Sequence, residues 1–262
     1  MRFEWMLACL LLITAPVWAE VVDMPVEYRA GETVMQGYLA YDNALDGRRP
    51  GVLVVHEWWG HNDYARKRAR MLAALGYTAL AVDMYGDGKQ ADHPQDASQF
   101  SGEVTRNMEI AAARFDAAKQ LLQQQPSVNP DDISAIGYCF GGGIVLEMAR
   151  RGVDLDLVAS FHGSLGTGDP AQPGQVKAKV LVFNGADDPF VTAAQKAAFK
   201  AEMEQAGVDY QFVDYPGAMH SFTNPGADDY GTRFQLPLAY NPEADAKSWA
   251  ELREALERRY QD

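Results

Sequence analysis

Cysteine is scarce in this chain of 262 residues, which contains only Cys9 and Cys139. We expect Cys9 to be removed with an N-terminal signal peptide, so that Cys139 has no partner for an intramolecular disulfide. A fold held together by disulfides is therefore excluded. A lone cysteine in an exported protein is either a small buried apolar residue or a reactive thiol.

Long hydrophobic runs are also lacking. Apolar residues extend from Met6 to about Ala15, which is too short for a membrane-spanning helix of about 20 residues. Arg2 precedes this run, Ala19 stands at a cleavage position and Glu20 would begin the mature protein, the layout of a secretory signal peptide. We therefore predict a signal peptide at residues 1–19 and a periplasmic or secreted protein. No later segment is apolar enough for stable membrane insertion.

Positive charge is in short supply. The chain has 23 Lys and Arg against 36 Asp and Glu, and its formal net charge at pH 7 is −13. Nucleic acids and anionic membrane surfaces are bound through clustered basic residues, so this balance argues against both as partners. We expect a monomer or a weak dimer.

Predicted strands and helices alternate along the mature chain. The predicted strands are an initial hairpin at residues 21–28 and 33–41, followed by residues 51–56, 77–82, 133–137, 157–161, 180–184 and 210–215. The predicted helices are residues 64–75, 103–124, 141–150, 192–206 and 242–259. Continuous apolar strands separated by helices are typical of an α/β fold with a mostly parallel sheet. No repeat or linker divides residues 20–262, which indicates a single domain.

The segment Gly137-Tyr138-Cys139-Phe140-Gly141 lies between a predicted strand and a predicted helix. It matches the nucleophile-elbow pattern G-x-nucleophile-x-G, with cysteine as the nucleophile. Residues two positions from the nucleophile must be small because the chain turns sharply there. The N-terminus of the following helix also places partial positive charge beside a forming thiolate, which stabilises it. A buried cysteine in a glycine-rich turn is the structural alternative.

The other members of a catalytic triad should follow in the order acid, then histidine. Asp187 and Asp188 follow a predicted buried strand, and Asp188 is preferred because it immediately precedes Pro189 and begins the turn to the next helix. For either residue, an Asx turn or a helix cap is the alternative. His220 is the only histidine after these residues, which makes it the candidate base.

These residues predict acyl transfer. His220 would take the thiol proton of Cys139, and Asp188 would fix the tautomer of the imidazole. The thiolate would attack a carbonyl and form a thioester that water hydrolyses. The backbone N–H of Phe140 is the first expected oxyanion donor, and that of Trp58, in the loop after the strand at 51–56, is the best-placed second donor.

The chain resembles the dienelactone hydrolases over nearly the whole mature sequence. The resemblance rests on the segments His56-Glu57-Trp58-Trp59-Gly60, Val82-Asp83-Met84-Tyr85-Gly86, Gly137-Tyr138-Cys139-Phe140-Gly141, 185–191 and His220-Ser221-Phe222. It implies an α/β-hydrolase fold and a Cys–His–Asp hydrolase that acts on a small ester or lactone without metal or organic cofactor. It also implies that Glu57 pairs with the resting thiol until substrate binds. The family pattern supports Asp188 over Asp187 as the acid, and Trp58 and Phe140 as oxyanion donors.

Two departures from the family pattern concern the substrate. Enzymes that act on dienelactone bind its carboxylate with two arginines, but this chain has Gly86-Asp87 where the first is expected and Thr223-Asn224-Pro225 where the second is expected. The nearest cations are Lys89 and Arg233, and a lysine does not readily replace a bidentate arginine. These departures argue against dienelactone itself.

Aromatic residues beside the motifs, including the expected oxyanion donors Trp58 and Phe140, suggest an aromatic-walled pocket for an apolar ester. The candidates are Trp59, Tyr85, Tyr138 and Phe222, and core packing is the alternative for each of them.

Other functions were weighed against ester hydrolysis. A zinc site of the H-E-x-x-H type requires histidines four positions apart on a helix, and His56 and His61 are one position further apart around a glycine. His162 is expected to have a core or supporting role near the carboxyl ends of the strands. A thioesterase, a peptidase and a non-catalytic binding protein on the same fold are the alternative functions.

Overall fold

The computed structural model describes residues 20–260, so the predicted signal peptide lies outside the described residues. One eight-stranded sheet is formed by β1 (Val21–Ala30), β2 (Thr33–Asp42), β3 (Arg49–Val55), β4 (Thr78–Val82), β5 (Val128–Tyr138), β6 (Leu157–Phe161), β7 (Lys179–Gly185) and β8 (Tyr210–Tyr215). The described helices are α1 (Asp63–Ala73), α2 (Pro94–Thr105), α3 (Met108–Gln123), α4 (Phe140–Arg150), α5 (Ala193–Ala206), α6 (Ala227–Phe234) and α7 (Pro242–Tyr260).

The strand order in the sheet is β1-β2-β4-β3-β5-β6-β7-β8. β1 and β2 form the predicted hairpin, and β2 joins β4 antiparallel. From β4 to β8 every pairing is parallel. The predicted α/β fold with a mostly parallel sheet is confirmed.

Both faces of the sheet are covered by helices, which explains the continuous apolar strands. Because successive side chains of a strand point to opposite faces, Leu53 and Val55 of β3 join one hydrophobic cluster and Val52 and Val54 join the other. The first cluster receives side chains from α3, α4 and α5, and the second from α1 and α7. Central strands of this kind cannot face water on either side.

The predicted helix at residues 103–124 is wrong at its N-terminal end. Thr105 is the last residue of α2, a helix that was not predicted, and a separate helix, α3, begins at Met108. Asn107 causes the break, because its backbone is extended and its side chain accepts a hydrogen bond from the backbone N–H of Glu109, capping α3. The short helix α6 was also not predicted.

The candidate residues share one edge of the sheet. Glu57 follows β3, Cys139 follows β5, Asp188 follows β7 and His220 follows β8. The carboxyl ends of parallel strands lie along the same edge, where open α/β sheets bind their ligands. Within residues 20–260, no helix combines the length and the hydrophobicity that crossing a membrane requires.

Candidate active site

Cys139 stands in a strained turn between β5 and α4. Its backbone has φ 53° and ψ −114°, a conformation that a residue with a side chain rarely adopts and that is often found at functional sites. A Cβ atom added to Gly137 would lie 2.1 Å from the carbonyl oxygen of Gly141, and one added to Gly141 would lie 2.3 Å from that of Val55. Both glycines are therefore required by close backbone approach, as the elbow pattern predicts.

The side chains of Cys139, His220 and Asp188 form a continuous contact. The Nε2 atom of His220 lies 3.1 Å from Sγ of Cys139, and its Nδ1 atom lies 2.8 Å from Oδ2 of Asp188. Asp188 is buried, and its other carboxylate oxygen accepts a hydrogen bond from the backbone N–H of Phe190 at 2.8 Å. Asp187 is exposed. The structure thus brings Asp188, and not Asp187, to the histidine.

The electrostatics of His220 depend on its two neighbours. Burial by itself lowers the pKa of the imidazole, but the negative charge of a Cys139 thiolate and hydrogen bonds to Asp188 and Cys139 outweigh it and raise the pKa to about 10. The protonated form of the His220 imidazole is therefore more favoured here than in a free histidine. A nucleophile and a base within hydrogen-bond reach, with the base held by a carboxylate, are the arrangement that activation of a thiol requires.

Glu57 is buried, 2 % exposed, and is not among the residues that line the cleft. Its Oε2 atom accepts a hydrogen bond from Nδ2 of Asn224 at 2.6 Å. Burial raises the pKa of its carboxyl group, an effect that hydrogen bonds from Asn224 and Ser221 partly oppose. The thiol of Cys139 instead contacts His220, so the pairing of Glu57 with the resting thiol is not the arrangement in this structure.

His162 supports the turn at Cys139 from below. The backbone N–H of Cys139 donates to the carbonyl of Phe161 at 2.9 Å and to Nδ1 of His162 at 3.1 Å. The Nε2 atom of His162 lies 2.8 Å from Oγ1 of Thr223. Because a backbone N–H can only donate, Nδ1 must be the accepting nitrogen. Nε2 therefore carries the ring hydrogen and donates a hydrogen bond to Oγ1 of Thr223.

A buried chain of polar groups continues from Thr223. Its hydroxyl lies 2.6 Å from the hydroxyl of Tyr64, which accepts a hydrogen bond from Nε of Arg68 at 3.2 Å. Arg68 also donates to the carbonyl of Thr223 and pairs with Asp245. The sequence offered no signal for these partners beyond their position near the motifs, because they come from α1, α7 and the loop after β8.

A cleft of about 490 Å³ opens onto Cys139 and His220. Trp58 and Phe140, the expected oxyanion donors, both line it. Within the part of the chain that the structure describes, neither backbone N–H donates to another protein atom. Both groups are therefore free to bind the oxygen of a substrate. The apolar wall comes mainly from Met108, Ile144, Phe190 and Val191.

None of the four predicted pocket aromatics lines this cleft. Trp59 is buried and stacks on Tyr230 with ring centroids 4.2 Å apart, while Tyr138 and Phe222 lie in the hydrophobic cluster under α1 and α7. Tyr85 is buried too, and its hydroxyl donates to the carbonyl of Trp58 at 2.9 Å. These residues pack the interior, so the prediction of an aromatic wall was wrong for them.

The site supplies no arginine clamp. Among the described residues, neither Lys89 nor Arg233 lines the cleft, and neither does any other lysine or arginine. No group of three or more His, Cys, Asp and Glu side chains within residues 20–260 is arranged to hold a metal ion. His56 is committed elsewhere, because its Nδ1 contacts the carbonyl of Glu57 and its Nε2 accepts the N–H of Met84.

The chain is similar to known proteins both in sequence and in structure. The solved structure of a dienelactone hydrolase-like promiscuous phosphotriesterase from metagenomic libraries is 37% identical, covers 92% of this chain and 99% of its own, and superposes with a TM-score of 0.85. A second solved structure, m3DLH, is 38% identical over the same shares, with a TM-score of 0.86. A Bradyrhizobium protein named "Probable 2-oxo-3-(5-oxofuran-2-ylidene)propanoate lactonase" is 28% identical over 78% of this chain and 82% of its own length.

The family model described as "Dienelactone hydrolase family" matches residues 35–259, nearly all of the described domain and all of the candidate residues. The chain is a hydrolase of the dienelactone hydrolase family, within the α/β-hydrolase superfamily.

Proposed function

We propose that this protein hydrolyses carboxylic esters, lactones or related acyl bonds, with Cys139 as nucleophile, His220 as base and Asp188 as the residue that orients the base. The supporting observation is the continuous contact from Sγ of Cys139 through the imidazole of His220 to the Asp188 carboxylate, at 3.1 and 2.8 Å. The contact lies at the wall of the cleft. A nucleophile, a base and an orienting acid within hydrogen-bond reach are the components of covalent acyl transfer.

The first half of the reaction acylates the enzyme. The thiol proton moves to Nε2 of His220, and the thiolate attacks the substrate carbonyl carbon, whose oxygen becomes an oxyanion. The N–H groups of Trp58 and Phe140 donate hydrogen bonds to that oxygen. The bond to the leaving oxygen then breaks, His220 returns the proton to the departing alcohol, and the acyl group remains on Cys139 as a thioester.

The second half regenerates the enzyme. A water molecule takes the place of the alcohol and gives a proton to His220 as it attacks the thioester carbonyl. When the new tetrahedral intermediate collapses, the carboxylic acid leaves and the proton returns to sulfur. Asp188 stabilises the imidazolium that forms in each half and keeps Nε2 directed at the reacting atoms.

Glu57 is proposed to tune this cycle from its buried position beside Trp58. Its buried carboxyl group has a raised pKa and Asn224 holds it. It lies next in sequence to Trp58, so a change in its charge is felt at the oxyanion site. Exchange of the Asn224 contact for a contact with the thiol would provide the resting pair that the family resemblance implies.

A substrate panel tests the proposal. Wild type and Cys139→Ala are compared on matched short 4-nitrophenyl esters, thioesters and anilides, before and after treatment with iodoacetamide. We expect turnover of the esters by wild type, loss of at least about 1,000-fold in Cys139→Ala, and inactivation by iodoacetamide. Preference for thioesters or anilides would assign a thioesterase or a peptidase. No turnover of any compound, with Cys139 unreactive near neutral pH, would indicate a binding protein.

We further propose that residues 1–19 are a signal peptide and that the enzyme works in the periplasm or outside the cell. N-terminal sequencing of the protein recovered from a cell fraction tests this. A chain that begins at Glu20 in the exported fraction supports it, and a chain that retains Met1 in the cytoplasmic fraction contradicts it.

A further inference from the structure

The cleft beside Cys139 has a charged end that the proposed reaction does not use. One wall is a single face of α4, formed by Phe140, Gly143, Ile144 and Glu147, which recur at the spacing of a helix face. From Phe140 to Glu147 the helix rises by roughly 10 Å. Glu147 therefore lies about two helical turns from the elbow on the same wall of the cleft.

Glu147 belongs to a cluster with excess negative charge. Its Oε1 accepts a hydrogen bond from Nη1 of Arg150 at 2.8 Å. The same guanidinium binds Glu202 through two hydrogen bonds, from Nε at 2.8 Å and from Nη2 at 2.9 Å. One cation therefore serves two carboxylates, and the cluster carries a net charge of −1 when both are ionised.

Arg150 is not available to a substrate. Its side chain is 2 % exposed, and Nη2 also donates to the carbonyl of Leu165 at 2.9 Å. Each of its three nitrogens thus has a protein acceptor, and Arg150 is not among the residues that line the cleft. Glu147, by contrast, has a side chain that is 17 % exposed and forms part of the cleft wall. The group that meets a ligand at this end is the carboxylate.

The rest of the lining offers nothing to offset that charge. Apart from Cys139 and His220 at the reacting end, the other residues that line the cleft within residues 20–260 are apolar or neutral polar, the latter including Ser101, Thr105, Ser164 and Thr167. A carboxylate on a substrate would meet a like charge in a partly desolvated channel, which is costly. A cationic end group would meet an opposite charge, and a neutral one would lose little.

We infer that Glu147 is a specificity-determining residue and that the enzyme takes acyl esters whose distal end is cationic or neutral, discriminating against anionic ones. The inference rests on the proposed ester hydrolysis at Cys139. Enzymes that act on dienelactone are expected to bind an anionic substrate group with arginines. Here the charged group in the cleft is the carboxylate of Glu147, on helix α4.

A matched trio of esters tests it. The 4-nitrophenyl esters of 5-(trimethylammonio)pentanoic acid, its neutral isostere 6,6-dimethylheptanoic acid and 5-sulfopentanoic acid differ chiefly in end-group charge. A second trio carries the same end groups on the alcohol side of acetate esters, so that either orientation in the cleft is covered. The specificity constant kcat/KM is measured for wild type, Glu147→Gln and the matched surface variant Glu254→Gln, which removes one charge from exposed α7.

For wild type we expect the cationic ester of at least one trio to exceed the anionic one by about tenfold, the effect of one charge pair in a partly screened site. Glu147→Gln should reduce this ratio at least about threefold and leave the neutral ester nearly unchanged, while Glu254→Gln should not change it. The wild-type ratio should also fall as potassium chloride is raised, because salt screens the pair.

Equal reductions by the two variants would overturn the inference, since they would reflect net charge alone. A ratio that does not respond to Glu147→Gln would also overturn it, and so would a wild-type preference for the anionic ester. Failure of the proposed function is separate from these outcomes, because it removes turnover of the neutral ester as well. If Glu147→Gln does not fold, the salt dependence of the wild-type ratio decides, and a ratio independent of salt contradicts the inference.

Discussion

The backbone N–H of Cys139 points at Nδ1 of His162 across 3.1 Å, and both residues have positive φ angles, 53° and 41°. Two strained turns, one after β5 and one after β6, therefore hold each other in place. His162 can accept this hydrogen bond only as a neutral imidazole. Burial and the charges of His220 and Arg68 lower its pKa well below the usual value, which keeps it neutral.

His162 is therefore a positioning residue, and its replacement should affect kcat more than KM. We expect His162→Leu to lower kcat by roughly 10- to 100-fold with little change in KM, because a small displacement of the nucleophile has effects of that size. His162→Asn should restore part of the loss, since its side-chain oxygen can accept the Cys139 N–H and asparagine tolerates positive φ. Equal kcat values for the two variants would argue against a positioning role.

The pKa of His220 should depend on its two neighbours, Cys139 and Asp188. Its pKa is raised to about 10 chiefly by the thiolate charge of Cys139, against the lowering effect of burial. NMR of the imidazole should show a midpoint far above 6.5 in wild type and a clearly lower one in both Cys139→Ala and Asp188→Asn. A wild-type midpoint at or below 6.5 would contradict the raised pKa of His220.

The same pair gives a signed dependence of stability on pH. A histidine whose pKa is raised on folding holds its proton more tightly in the native state. Its contribution to the free energy of unfolding is complete below pH 6.5, the unfolded value, and is lost as the pH rises toward about 10. The difference in unfolding free energy between wild type and Cys139→Ala should shrink over that interval, as measured by urea denaturation.

Glu57 should make the stability of the protein depend on pH as well, in this case through an acid rather than a base. Burial raises the pKa of this acid above 4.5, so the folded state binds its proton more tightly than the unfolded state does. Stability from this group is complete below pH 4.5 and is lost as the pH rises. Glu57→Gln, which cannot ionise, should become more stable relative to wild type between pH 5 and pH 8. The exposed variant Glu254→Gln is the control, and equal trends in both would contradict the assignment.

The elbow glycines should tolerate no side chain. A Cβ atom on Gly137 would meet the Gly141 carbonyl oxygen at 2.1 Å, whereas one on Gly166 would meet nothing within 4 Å. Gly137→Ala should therefore lower the free energy of unfolding by about 3 kcal/mol or more, or prevent folding. Gly166→Ala should stay within about 0.5 kcal/mol of wild type. Similar melting temperatures for the two variants would show that the turn relaxes more easily than its geometry implies.

The candidate triad residues could be predicted from the sequence, but the residues that line the cleft mostly could not. Gly137, Cys139, Asp188 and His220 could be predicted because each is tied to a local pattern after a recognisable strand. The position of Asn107, which caps α3 and breaks the predicted long helix, depends on a single side-chain contact that periodicity does not reveal.

The residues that support the site could not be predicted from local sequence patterns, for a different reason. Contacts such as Arg68 with Asp245 and His162 with Thr223 join segments that are far apart in the chain. The four predicted pocket aromatics are buried in the interior, whereas their neighbours Trp58 and Phe140 line the cleft. Whether each of these side chains faces the core or the cleft is therefore known only from the three-dimensional fold.

The most direct measurement of the central claim is the mass of the trapped intermediate. Wild type is mixed with a slowly hydrolysed ester, 4-nitrophenyl trimethylacetate, quenched in acid during steady state and analysed intact and after proteolysis. The account predicts a mass increase equal to one trimethylacetyl group, located on Cys139 and released by hydroxylamine, and no such adduct in Cys139→Ala. An adduct on another residue, or undiminished turnover in Cys139→Ala, would contradict it.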